Sequence, residues 1–143
     1  MFAAFPLLLV PVVLYALYAC VQVLSDGGVH AYDNLVHAMV TIPMPRGQQW
    51  PISLGDLFVL LALFMLFFEL IRATQSNKTA IINHSLSMIV FVVALVMFLL
   101  GPGFATSTFF LLVIMTLLDV LAGFIVTIVA SRRELDIAPA SSR

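Results

Sequence analysis

Apolar residues fall along this chain in four long runs, at 2–24, 54–71, 82–100 and 106–130, separated by short polar stretches. A helix needs about 20 mostly apolar residues to cross about 30 Å of hydrocarbon, so each run reads as a transmembrane span. What is left is one connection of moderate length (25–53), two short ones and a tail from 131. No soluble domain fits in that remainder. The pattern predicts an all-α membrane protein, a single four-helix domain over 1–143.

The connection at 25–53 carries its own pattern. Gly27-Gly28 stops the first helix. Residues 29–40 then read as a short amphipathic helix on the outer interface. At about 100° per residue, His30, Asp33 and His37 share one face, with Tyr32, Leu35, Val36 and Met39 on the other. Residues 41–53 hold three prolines around a Pro-Arg-Gly-Gln centre, which predicts a hairpin-like loop with Trp50 anchored at headgroup level. Ser53-Leu54-Gly55-Asp56 opens the second span as a capping box, its serine and acid serving the free helix end. Gly101-Pro102-Gly103 joins the last two spans in an antiparallel hairpin. In the first span Pro6 sits early enough to cost little, whereas Pro11 predicts a kink that loosens the carbonyl of Leu7.

Composition explains why so little polar sequence remains. Of 143 residues, 63% are hydrophobic and 9% charged, against about a quarter charged in a soluble domain. Six Lys+Arg against seven Asp+Glu leave a net charge of −1, which excludes a nucleic-acid footprint and a disordered polyelectrolyte. Arg72, Lys78, Arg132, Arg133 and Arg143 fall in the second connection and the tail, and only Arg46 in the first. By the positive-inside rule this predicts an N-in, C-in protein of a bacterial inner membrane, with organelle membranes as the alternative. Leu17-Tyr18-Ala19-Cys20 approximates a lipoprotein cleavage box, but Tyr18 is bulky and no basic residue precedes the run. Cys20 is the single cysteine, expected to serve in packing; no internal disulfide or cysteine metal cluster is possible.

Among the charges, Asp119 stands apart. A charged aspartate near the middle of a span costs about 2.5–3.5 kcal/mol on insertion scales. It belongs to a stripe of Thr116, Asp119, Gly123, Thr127 and Ala130 that should face protein. Counted from inner span ends at about 1.5 Å per residue, Tyr15 lies at its depth, which predicts a Tyr15–Asp119 hydrogen bond. His84 falls nearly 15 Å too low by the same count. Asp119 is either a hydrogen-bonded clasp or a proton or ion site. A relay needs a second ionisable group within reach, and none is evident, which favours the clasp.

The other candidates have ordinary readings. Glu69 and Arg72 are expected to form an interfacial ion pair. Asn83, His84, Ser85 and Ser87 read as an interfacial cap at the start of the third span. Asp26, His30, Asp33 and His37 would project together on one continuous helix, and His/carboxylate sets bind Zn, Cu or Fe. The Gly27-Gly28 break leaves His30, Asp33 and His37 as a low-ranking metal candidate. One histidine inside a span does not make a haem site, and no phosphate loop, HExxH or nucleophile elbow is present. Neither an enzyme nor a resident cofactor is expected.

The stretches PISLGDLFVLLALFMLFFELIRAT, NHSLSMIVFVVALVMFLL and FFLLVIMTLLDVLAGF resemble uncharacterised small four-helix bacterial inner-membrane proteins. The resemblance covers the last three spans and implies a membrane location, with no activity, substrate or cofactor. The leading expectation is an accessory or structural subunit, partnered by lipid and by other membrane subunits or its own copies. The alternatives are a minimal proton- or ion-coupled transporter using Asp119 and, last, an outer-face metal-binding protein.

Overall fold

The computed structural model describes residues 5–73 and 78–137. Its elements in chain order are α1 (Leu9–Asp26), α2 (Ala31–Val36), β1 (Ala38–Pro43), β2 (Gln49–Ser53), α3 (Leu54–Ala73), α4 (Lys78–Leu100) and α5 (Ser107–Ile137). Helices α1, α3, α4 and α5 each contain a stretch long and apolar enough to cross a membrane. The chain is a multi-pass membrane protein.

Helix α1 starts later than the apolar run suggests. Its first helical residue is Leu9, which puts Pro11 in the first turn, where a missing amide is no loss. The Leu7 carbonyl, expected to be loosened by Pro11, accepts from the Val10 amide at 3.0 Å. At its far end Gly27 and Gly28 adopt φ of 71° and 82°, and their amides turn back onto the Val23 and Gln22 carbonyls. The Asp26 carboxylate secures this break by accepting from the Gly28 and His30 amides. Cys20, expected in packing, is exposed on the surface of α1.

Helix α2 is shorter than the 29–40 stretch that amphipathicity marks out. It ends at Val36 because His37 is already extended (ψ 128°) and Ala38 enters β1. Tyr18 donates to the Ala31 carbonyl at 3.0 Å, and Leu35 is buried, so α2 lies against the bundle. Strands β1 and β2 form an antiparallel hairpin with Ile42 opposite Trp50 and a bulge between Ala38 and Val40. Its turn over 44–47 closes with the Gly47 amide on the Met44 carbonyl at 2.9 Å. Ser53 then passes directly into α3. Its amide and hydroxyl donate to Asp56 Oδ2 at 2.9 and 2.7 Å, and its Oγ accepts from the Asp56 amide, forming a capping box.

Helix α5 is the centre of the bundle, packed most extensively on α4 and α3, while α1 touches all three lightly. The core is densest toward the hairpin end. There the Tyr15 ring lies 4.7 Å from Phe109, 5.4 Å from Phe58 and 5.8 Å from Phe104, centroid to centroid. These tilted arrangements suit the aromatic quadrupole. Outside this core most large apolar side chains of the spans are exposed, the surface that hydrocarbon chains would cover.

Candidate functional site

Two carboxylates are enclosed in this apolar bundle: Glu69 on α3 is 0% exposed and Asp119 on α5 is 5% exposed. Depth explains how they come together. Counted from the hairpin-side ends of α3, α4 and α5, Asp119 lies about 18 Å in, Ser87 about 20 Å and Glu69 about 22 Å. His84 and Gly123 both fall at about 24 Å and Asn83 at about 26 Å. One layer about 8 Å thick thus gathers Glu69, Asn83, His84, Ser87 and Asp119 from three spans.

Glu69 is held from two sides. Its Oε2 accepts from the Leu7 amide at 2.6 Å, and its Oε1 accepts from the Asn83 side-chain amide. The Leu7 amide precedes α1 and has no helical carbonyl to bond, so an anion there satisfies an orphan donor and favours the positive end of the helix. One buried carboxylate therefore ties α1 and α4 to α3. The Arg72 guanidinium instead donates to the Phe5 carbonyl at 3.3 Å. The Glu69–Arg72 ion pair expected from their spacing is replaced by this arrangement, because Glu69 turns inward where amides are available.

Asp119 faces α4. The Ser87 hydroxyl stands beside its carboxyl, and Glu69 is close enough to act on it electrostatically. Ser87 is 3% exposed, and its Oγ is a buried polar atom outside hydrogen-bond geometry with any neighbour among the described residues. The same holds for Asn83 Oδ1, one helical turn away on the same face. The two orphan oxygens and the two carboxylates belong to one enclosed cluster.

His84 borders this cluster. A Cβ on Gly123 would fall 2.8 Å from the His84 Cε1 and Cγ atoms, so the glycine exists to let the imidazole lie on the α5 backbone. Gly123 is four residues from Asp119, a rise of about 6 Å. The separation of nearly 15 Å expected between His84 and Asp119 is thereby overturned. That expectation took Ala130 as the end of the last helix, whereas α5 runs on to Ile137.

Tyr15 is not the partner of Asp119. Its hydroxyl shares a 2.5 Å hydrogen bond with Thr106 Oγ1 and donates to the Gly103 carbonyl at 3.3 Å. Thr106 also caps α5 by accepting from the Phe109 amide. It lies thirteen residues before Asp119, roughly 20 Å along the helix. The correction has a plain cause: Ala19 and Val23 flank Gly103, so α1 is displaced toward the hairpin end and carries Tyr15 with it. Thr116 is buried as its stripe predicts, but its hydroxyl returns to the Val113 carbonyl at 2.8 Å.

The outer-face trio does not converge. His30 Nδ1 and Asp33 Oδ2 approach to 3.7 Å in an exposed pair, while His37 turns its Nδ1 to the Ala38 carbonyl. Among the described residues no three His, Cys, Asp or Glu side chains form a group that could hold a metal ion. The helix break at His37 is what removes the third ligand.

Asn83 and Ser87 are the residues that sequence reasoning placed at the interface and missed as part of a site. A usable signal was present. Helices α4 and α5 leave the same Gly101-Pro102-Gly103 turn, so equal counts from it give equal depths, and Ser87 then falls opposite Asp119. Chemically, an acid pair with unpaired oxygens in an apolar bundle is suited to receive a positive particle, a proton or a cation. No family model, curated protein or solved structure matches this chain.

Proposed function

We propose that this chain is an inner-membrane protein with both ends in the cytoplasm, and that it takes up a proton or small cation at Asp119 and Glu69 in ion-coupled transport. The observation that carries the reading is the acid pair itself, enclosed at 5% and 0% exposure on facing helices. A second ionisable group beside Asp119 is what a relay requires, and Glu69 supplies it. His84 adds a third group one helical turn along α5 from the pair. The distribution of basic residues supports this orientation, and with it a cluster in the cytoplasmic half of the bilayer.

Reconstitution tests this. Wild-type proteoliposomes carrying an internal pH dye should show proton or sodium-dependent flux under an imposed gradient, and Asp119→Asn should reduce it at least about tenfold. Flux equal to that of empty liposomes for both proteins would end the proposal.

A second reading, a subunit of a larger membrane assembly, is favoured by the hairpin. Val40, Ile42 and Trp50 are exposed on β1 and β2 and cover no core of this chain. Native mass spectrometry from nanodiscs should then show a co-purifying membrane protein or a second copy; a monomer alone counts against it.

A further inference from the structure

We infer that the cluster between α3, α4 and α5 is a binding site for one small monovalent cation of the sodium type, coordinated by Asp119, Ser87 Oγ and Asn83 Oδ1. The inference rests on the ion-coupled reading above and names its substrate class. Its first support is the donor set, which is all oxygen: a carboxylate, a hydroxyl and an amide carbonyl, the ligands that hard cations prefer over nitrogen or sulfur. Its second is the pair of orphans. Ser87 is 97% buried by its 3% exposure, and both its Oγ and Asn83 Oδ1 lack a hydrogen-bond donor. The orientation of the amide is not free, because its NH2 group must face the Glu69 carboxylate and so turns the oxygen the other way.

Ligand number decides the class of ion. Both Glu69 oxygens already accept hydrogen bonds, from the Leu7 amide and from Asn83. Asp119 is therefore the carboxylate of the cluster whose oxygens are open to a ligand. Ca2+ and Mg2+ take six or more oxygen ligands, Mg2+ in near-ideal octahedral geometry, whereas this set offers one carboxylate and two neutral oxygens. A proton on Asp119 forms one hydrogen bond and satisfies one orphan oxygen, leaving the other bare. A cation coordinates both oxygens together with the carboxylate.

The test is equilibrium binding of radioactive sodium to the full-length protein in detergent, at constant ionic strength set with choline chloride. Saturable binding of one ion per chain is expected, competed by lithium and not by choline. Ser87→Ala should weaken it at least about tenfold and Asp119→Asn should abolish it, with circular dichroism confirming the helical content of each variant. Should Asp119→Asn not fold, Ser87→Ala carries the comparison. Absence of saturable sodium binding in the wild type overturns the inference, as does binding unchanged in both variants. Proton flux that depends on Asp119 without sodium binding overturns the cation site and leaves ion coupling standing. Sodium binding with flux no greater than in empty liposomes does the reverse.

Discussion

Glu69→Ala separates a carboxylate that organises the bundle from one that sits at its edge. In the structure Glu69 accepts two hydrogen bonds, from the Leu7 amide and the Asn83 side chain, and is fully enclosed. Each bond to a charged acceptor contributes about 1.5–3 kcal/mol in soluble proteins. Side-chain hydrogen bonds in membrane helices average nearer 0.6 kcal/mol and reach about 1.7, because alternative partners exist in the unfolded reference. Taking about 1–2 kcal/mol for each of the two, Glu69→Ala should cost about 2–4 kcal/mol. Glu69→Gln keeps one acceptor and should lose about half of that. Asn83→Ala removes one of the two bonds, so its effect and that of Glu69→Ala should sum to more than the loss in the double variant. Reversible SDS unfolding in mixed micelles, followed by far-ultraviolet circular dichroism, measures these differences. Arg72→Gln is the control, since its side chain serves the Phe5 carbonyl. If Arg72→Gln proved as costly as Glu69→Ala, or if Glu69→Ala were neutral, the account of this site would be wrong.

Three further outcomes follow from single contacts. Tyr15→Phe removes the hydrogen bonds to Thr106 and Gly103 and should cost about 1 kcal/mol in the same assay, without altering ion flux, because Tyr15 lies away from Asp119. Gly123→Leu should displace the His84 ring and cost about 1–3 kcal/mol; His84→Ala in the same chain should recover part of that loss. Ser53→Ala dismantles the capping box at the start of α3 and should cost about 1 kcal/mol, read as a lower thermal midpoint.

The four spans were legible because hydrophobic length is dictated by bilayer thickness and tolerates almost no polar interruption. The hairpin over 41–53 and the stop at Gly27-Gly28 were legible for a similar local reason: prolines and glycines leave the backbone few options. What was not legible was relative height. Nothing in the apolar runs says that α1 is displaced toward the hairpin end or that α5 continues to Ile137, and both facts decide which polar side chains meet. Equal depth counts therefore point Tyr15 at Asp119, whereas its hydroxyl serves Thr106. Spacing alone pairs Glu69 with its near neighbour Arg72, since i,i+3 spacing is visible in a sequence whereas the orphan amide of Leu7, sixty-two residues away, is not. The border between α2 and β1 was misplaced because pairing with β2 overrides the amphipathic pattern beyond Val36.

The central claim is that Asp119 exchanges a positive particle inside the membrane. Infrared difference spectroscopy on the reconstituted protein tests it most directly, with buffer switched between sodium-containing and sodium-free and between low and high pH. A carboxyl band that responds to the switch and disappears in Asp119→Asn is the expected result. A spectrum with no such band, or one that Asp119→Asn leaves unchanged, would contradict the claim.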